Sequence, residues 1–208
     1  MGAFFEKNWF KLAVAVILLA MIGSFGYKLW FTSDPVKDDH LKAMKPTPAF
    51  ELLDLDGKVV NSEELDSKVR LYYFFFSSCP DVCRPTTFML SKIQDSLKEK
   101  GYLGDKSEIV SITMDPSRDT PEVLKEYAES FHAEPGGWRF LRGEEKQIAD
   151  LAEQFGVMIV KDKDGNFTHS NAILIADPKG VLRTYYTVDP EMDTEFIVKD
   201  VITLSKEK

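Results

Sequence analysis

Cysteine is nearly absent from this 208-residue chain, with two residues in all, and histidine occurs only three times. Two cysteines are too few for a disulfide scaffold. The bridge they would form closes a very short loop, the kind that restrains an unfolded chain least. A surplus of positive charge is missing as well. Lys and Arg number 26 against 34 Asp and Glu, for a formal net charge of −8. That balance argues against nucleic acid and anionic membrane surfaces as partners of the folded part. There is no internal repeat, and no proline between Pro135 and Pro178. Apolar residues are plentiful instead, with 44% hydrophobic and 12% aromatic content. The length suits one domain of about 150 to 170 residues beside a short N-terminal extension.

The extension carries the targeting information. Leu12 to Tyr27 is free of charge, and Trp9, Phe10, Trp30 and Phe31 bracket it as interfacial aromatics do. About 20 residues span a bilayer, which this stretch reaches if Lys28 snorkels to the interface. Residues 1–31 are therefore expected to be a single transmembrane anchor. A signal peptide cleaved near Ser24-Phe25-Gly26 is the alternative, and no cysteine lies near residue 26 for lipid attachment. Lysines flank the stretch on both sides, so the positive-inside count does not set its orientation. A short basic N-terminus usually stays inside while a long C-terminal domain is exported. The expected location is the cell membrane, single-pass, with the C-terminal domain on the extracytoplasmic side. Residues 32–48 are polar and proline-punctuated and read as a linker. The domain itself is expected over residues 49–208.

Within it, Ala49 to Asn61 reads as a hairpin turning at Asp56-Gly57. Val69 to Phe76 is a nearly all-apolar strand of the kind buried on both sheet faces. Phe88, Ile93 and Leu97, with Leu90 beside them, mark a helix ending near Gly101, and Glu108 to Met114 a second strand. Asp119-Thr120-Pro121-Glu122 supplies a cap, a first-turn proline and an early carboxylate, which together start a helix. Trp138 to Leu141 is a short strand. Ile148, Leu151, Ala152 and Phe155 line a helix that stops at Gly156. Val157 to Val160, Ala172 to Ala176 and Val181 to Tyr186 read as strands with turns at 162–166 and 177–180. A last helix covers about Asp193 to Ser205. The fold class is α/β: a mixed sheet flanked by helices, with an N-terminal hairpin.

Chemistry concentrates at Cys79-Pro80-Asp81-Val82-Cys83, between the first central strand and its helix. A helix N-terminus favours a thiolate through its free N–H groups and dipole. Residues i and i+4 of a helical turn share a face, so both sulfurs can address one spot. Two soft donors on one spot make either a redox disulfide or a soft-metal clamp. A dithiol at this junction is the layout of a thioredoxin-like domain. In such a sheet the loop entering the strand Ala172 to Ala176 faces the cysteine loop, and His169 stands in that loop. His40 lies in the linker with no neighbours that suggest a site. His132 ends a helix, where an imidazolium suits the dipole. Asp81 is expected to accept N–H bonds at the helix start, with metal binding or docking as the minor reading.

Three segments carry a family resemblance: Cys79-Pro80-Asp81-Val82-Cys83, Asp115-Pro116-Ser117-Arg118-Asp119-Thr120-Pro121-Glu122, and His169-Ser170 ahead of Asp177-Pro178-Lys179-Gly180. In this order they resemble the SCO/SenC family, membrane-tethered thioredoxin-fold proteins that bind copper and assist assembly of cytochrome c oxidase. The resemblance covers about residues 46 to 206. It implies that Cys79, Cys83 and His169 are ligands of copper, as Cu(I) or Cu(II), and that oxidase subunit II is the client. The copper donor stays unnamed. Thiolates select Cu(I) and imidazole accommodates Cu(II), so the chemistry agrees. A Cys79–Cys83 disulfide would be the metal-free state.

Two departures stand out. Arg84 follows the second cysteine where the family usually has proline, and its charge is expected to help Cys83 ionise. Ser77-Ser78 stands where relatives often have threonine and histidine. Asp115, Arg118 and Asp119 read as strand-end and cap residues.

The expected function is a membrane-tethered copper metallochaperone. The alternative is a dedicated thiol–disulfide oxidoreductase that keeps the client's copper-site cysteines reduced, using Cys79 and Cys83 as its redox pair. The C-x-x-x-C spacing and the missing proline before the facing strand count against a general oxidoreductase. A peroxidase of peroxiredoxin type needs Thr or Ser and Pro ahead of Cys79, where Phe76 and Tyr72 stand.

Overall fold

The computed structural model describes residues 9, 11, 13–14, 16–21, 23–24, 39–65, 67–163, 167–189 and 192–207. Two compact units divide the chain, Met1–Asp39 and His40–Lys208. In the first, the described residues between Trp9 and Ser24 are helical. Among the described residues, no helix is long and apolar enough to cross a membrane. Much of the expected anchor over 1–31, linker residues 32–38 and turn residues 164–166 lie outside the described residues.

The second unit opens with β1 (Lys45–Pro46), β2 (Glu51–Leu53), β3 (Val59–Asn61) and β4 (Val69–Phe75), then α1 (Cys83–Glu99) and β5 (Ser107–Thr113). It continues with α2 (Pro121–Ser130), β6 (Trp138–Leu141), α3 (Glu145–Phe155), β7 (Ile159–Lys161) and β8 (Phe167–His169). The chain closes with β9 (Ala172–Ala176), β10 (Val181–Thr187) and α4 (Thr194–Leu204). Six strands form one sheet in the order β1-β10-β9-β4-β5-β6. β4, β5 and β6 are parallel, whereas β9 joins β4 antiparallel and β10 turns back on β9. This is the expected thioredoxin-like mixed sheet.

The central position of β4 explains its sequence. All seven residues are buried. Tyr72 and Phe74 meet Phe155 of α3, at ring-centroid distances of 4.8 and 5.6 Å. Phe75 points the other way and stacks on Tyr127 of α2 at 5.2 Å. Each such side chain contributes about 1.5–3 kcal/mol on burial, so both faces exclude polar alternation. The one charge in the strand, Arg70, donates from Nη2 to the Asp177 carbonyl at 2.7 Å.

Local signals set the helix ends. Thr120 caps α2, its side chain accepting from the Val123 N–H, and Pro121 takes the first position. Gly156 ends α3 in the left-handed region at φ 86°. β2 and β3 form the expected hairpin, with Gly57 at φ 77°.

Two strands are additions to the sequence reading. β8 pairs antiparallel with β7 and carries His169 opposite Ile159, where only a turn and loop were expected. β1, within the stretch read as linker, pairs with β10 at the sheet edge. Its two residues are exposed, and their period is too short to register as a strand.

Candidate metal centre

The strand β4 and the helix α1 place the two thiols. Chain direction reverses through residues 76–82, and the Cys79 N–H closes the turn onto the Phe76 carbonyl at 3.3 Å. Cys79 lies in this loop and not in a helical turn, while Cys83 is the first residue of α1. Both are unbridged thiols and both are buried. His169 arrives on the β7–β8 hairpin. Its Nε2 lies 3.6 Å from the Cys83 sulfur. The donor atoms of Cys79, Cys83 and His169 all lie within 4.8 Å of one another, so the structure gathers the three residues expected from the sequence.

Each position has a support. The His169 Nδ1–H donates to the Ser170 carbonyl at 3.1 Å, which leaves the Nε2 lone pair facing the sulfur. Phe76 packs edge-on against the imidazole at 6.0 Å and against Phe167 at 5.5 Å. Asn171 ties the histidine loop to the helix, exchanging hydrogen bonds with Thr86 at 3.2 Å. The Tyr73 hydroxyl donates to the same Asn171 side chain at 3.3 Å. Sequence reasoning missed Tyr73, Thr86 and Asn171, whose only local signal is the closeness of Asn171 to His169. Beside the loop runs a groove of about 440 Å³ lined in part by Asp81, Val82, Pro85, Phe88 and Met192.

Electrostatics correct the expectation of an easily ionised helix-terminal thiol. Burial pushes the Cys83 thiol up to about 12, and the hydrogen bond with Cys79 adds to that, while the Phe76 backbone and Tyr73 hydroxyl pull the other way. The dipole at a helix end is outweighed because a thiolate there would lose its water. Arg84 does not offset the burial. Its guanidinium lies over the Phe131 and Tyr127 rings, at 5.3 and 5.8 Å. Asp81 is no cap either: the N-cap is Val82, and the helix starts without a side-chain cap hydrogen bond. Burial also lowers the His169 pKa, with the Ser170 contact opposing it, so the imidazole is neutral at pH 7.

This predicts a pH dependence. A metal held by Cys83 would take it as thiolate, so binding would release at least its proton wherever the free thiol holds one. Apparent metal affinity should rise at least about tenfold per pH unit through the neutral range, with the Cys83 contribution continuing towards about pH 12. The same proton stabilises the metal-free fold fully below the ordinary thiol pKa of about 8.5. That contribution is lost as pH climbs through about 12. Chelator competition at several pH values checks the first statement; a flat affinity between about pH 6 and 8 would mean a preformed thiolate.

Comparison with known proteins gives concordant results. Residues 38–206 match the family described as SCO1/SenC. A SCO2-like protein of Rickettsia typhi is 32% identical over 198 residues, covering 88% of this chain and 93% of its own length. BsSco, a member of the Sco family of cytochrome c oxidase assembly proteins with an identified disulfide switch, superimposes with a TM-score of 0.71 at 26% identity. That match covers 80% of this chain and 98% of BsSco. ScoI of Bradyrhizobium japonicum with copper bound superimposes with a TM-score of 0.65 at 28% identity, over 76% of this chain and 99% of its own.

Proposed function

The chain belongs to the SCO1/SenC family, and we propose that it takes up copper on Cys79, Cys83 and His169 and delivers it to subunit II of cytochrome c oxidase. The observation that carries this reading is the convergence of two thiols and one imidazole nitrogen within 4.8 Å. The donor set fits the cargo. Two sulfurs favour the soft Cu(I) ion, and the imidazole lets the same residues hold Cu(II). The chain's own part is to bring Cys83 to the first turn of α1, to aim Nε2 at it, and to give up the thiol proton on loading. The free dithiol is the loading form, and oxidation of the pair would remove both sulfur ligands.

In this reading residues 1–31 anchor the domain to the membrane and residues 32–48 tether it. The uncharged stretch from Leu12 to Tyr27 with its bracketing aromatics supports the anchor. The domain over 49–208 then works on the extracytoplasmic side, where its client and a copper donor meet it.

A dedicated oxidoreductase is the second reading, favoured by the same adjacent pair of free thiols. One experiment separates the two. Copper-loaded protein is mixed with the reduced, copper-free soluble domain of oxidase subunit II. Delivery predicts that the client gains its copper-site absorption while this chain loses copper. If the client stays copper-free, and in a parallel mixture the metal-free dithiol reduces the disulfide of the oxidised client, the oxidoreductase reading takes over.

A further inference from the structure

The segment Asp115-Pro116-Ser117-Arg118-Asp119-Thr120-Pro121 supplies no copper ligand, yet it holds two fully buried carboxylates, Asp115 and Asp119. Its geometry is self-closed. The Asp115 carboxylate takes the Ser117 hydroxyl at 2.7 Å and the Arg118 Nε–H, and the Asp119 N–H donates to the Asp115 carbonyl at 2.9 Å. Helix capping falls to Thr120, not Asp119. The Asp119 carboxylate is thus free to act elsewhere. It accepts the Ser77 N–H at 3.1 Å, the Ser77 hydroxyl, and the Thr113 hydroxyl.

Ser77 lies two residues before Cys79. The chain entering the cysteine is therefore tied twice, by Asp119 at Ser77 and by the Cys79 N–H on the Phe76 carbonyl. A buried carboxylate is an expensive way to gain stability alone, since an apolar side chain covers the same ground without desolvating a charge. What it does supply is an acceptor that holds a backbone N–H and a hydroxyl of one residue in a single geometry. We infer that Asp119 is a positioning residue for Cys79, locking the strand-to-cysteine loop so that this sulfur stays beside Cys83 and His169. The copper side of this inference rests on the function proposed above; the fixing of Cys79 does not.

The test compares Asp119→Asn with Asp200→Asn. The amide keeps the shape and one acceptor oxygen but turns an NH2 group towards the donors, so at least one tie is lost. Asp200 is an equally buried carboxylate that serves His40 and Tyr186 and makes no contact with the loop, which makes it a control for stability alone. Two readouts are taken: alkylation of Cys79 in the reduced, metal-free protein, and copper release to a chelator together with the visible spectrum of the loaded protein. Asp119→Asn should speed Cys79 alkylation and copper release by about tenfold or more and alter the charge-transfer band, as loss of an outer partner does. Asp200→Asn should lower the melting temperature and change neither readout.

If Asp119→Asn also lowers only the melting temperature, the inference is overturned. If Asp119→Asn does not fold, Ser77→Ala decides: faster alkylation of Cys79 supports the clamp and an unchanged rate refutes it. A wild-type protein that holds no copper would defeat the proposed function, and the alkylation rates would still decide the role of Asp119.

Discussion

Serine in place of Cys83 is expected to remove tight copper binding while the domain stays folded. The residue sits at the first position of α1, where serine is well tolerated, and the exchange leaves the backbone unchanged. Oxygen is smaller and harder than sulfur, and a serine hydroxyl does not ionise at neutral pH, so one of two soft donors vanishes. The buried hydroxyl has His169 Nε2 nearby, because that nitrogen already lies 3.6 Å from the sulfur. Outer partners of a metal site cost 10–100-fold in affinity, so loss of a ligand should cost at least about a hundredfold. That corresponds to about 2.8 kcal/mol or more. Chelator competition under reducing conditions measures it. A loss smaller than about tenfold would take Cys83 out of the ligand set.

The second large effect is expected at His169. Replacing it with alanine should lower Cu(II) affinity by about a hundredfold or more, and Cu(I) affinity much less, because thiolates alone suit the reduced ion. The disulfide potential of the Cys79–Cys83 pair should move by less than about 30 mV, equivalent to about 1.4 kcal/mol. A neutral imidazole that touches one thiol biases the dithiol only modestly. Equilibration with a glutathione buffer gives the potential, and competition with a Cu(II) chelator gives the affinity. The reverse pattern, a large shift in potential with Cu(II) affinity retained, would make His169 a redox residue.

Much of the scaffold could be read from residues because the signals are local. β4 announced itself through a nearly all-apolar run, interrupted only by Arg70, and α2 through Thr120 and Pro121 at its start. The candidate metal centre was readable for a different reason. Topology alone brings the loop before β9 opposite the cysteine loop, and family resemblance named the same three residues.

What escaped depends on contacts between distant parts of the chain, or on burial. Asp119 looked like part of a helix cap, since nothing near it in sequence points to Ser77, 42 residues away. Asp81 looked like a cap because the residue type suits one, but α1 begins without any side-chain cap. Cys83 looked acidic because it starts a helix; the cost of burying its thiolate is set by the packed domain and outweighs the dipole. Arg84 looked like a nearby charge for that thiol, yet its side chain is taken up by Tyr127 and Phe131.

The most direct test of the central claim is a Cu(II) titration of the fully reduced protein, followed by visible absorption. The account predicts one tightly bound copper per chain with a thiolate-to-copper charge-transfer band, absent in Cys83→Ser and strongly weakened in His169→Ala. Rapid oxidation of Cys79 and Cys83 with no stable copper complex would contradict it.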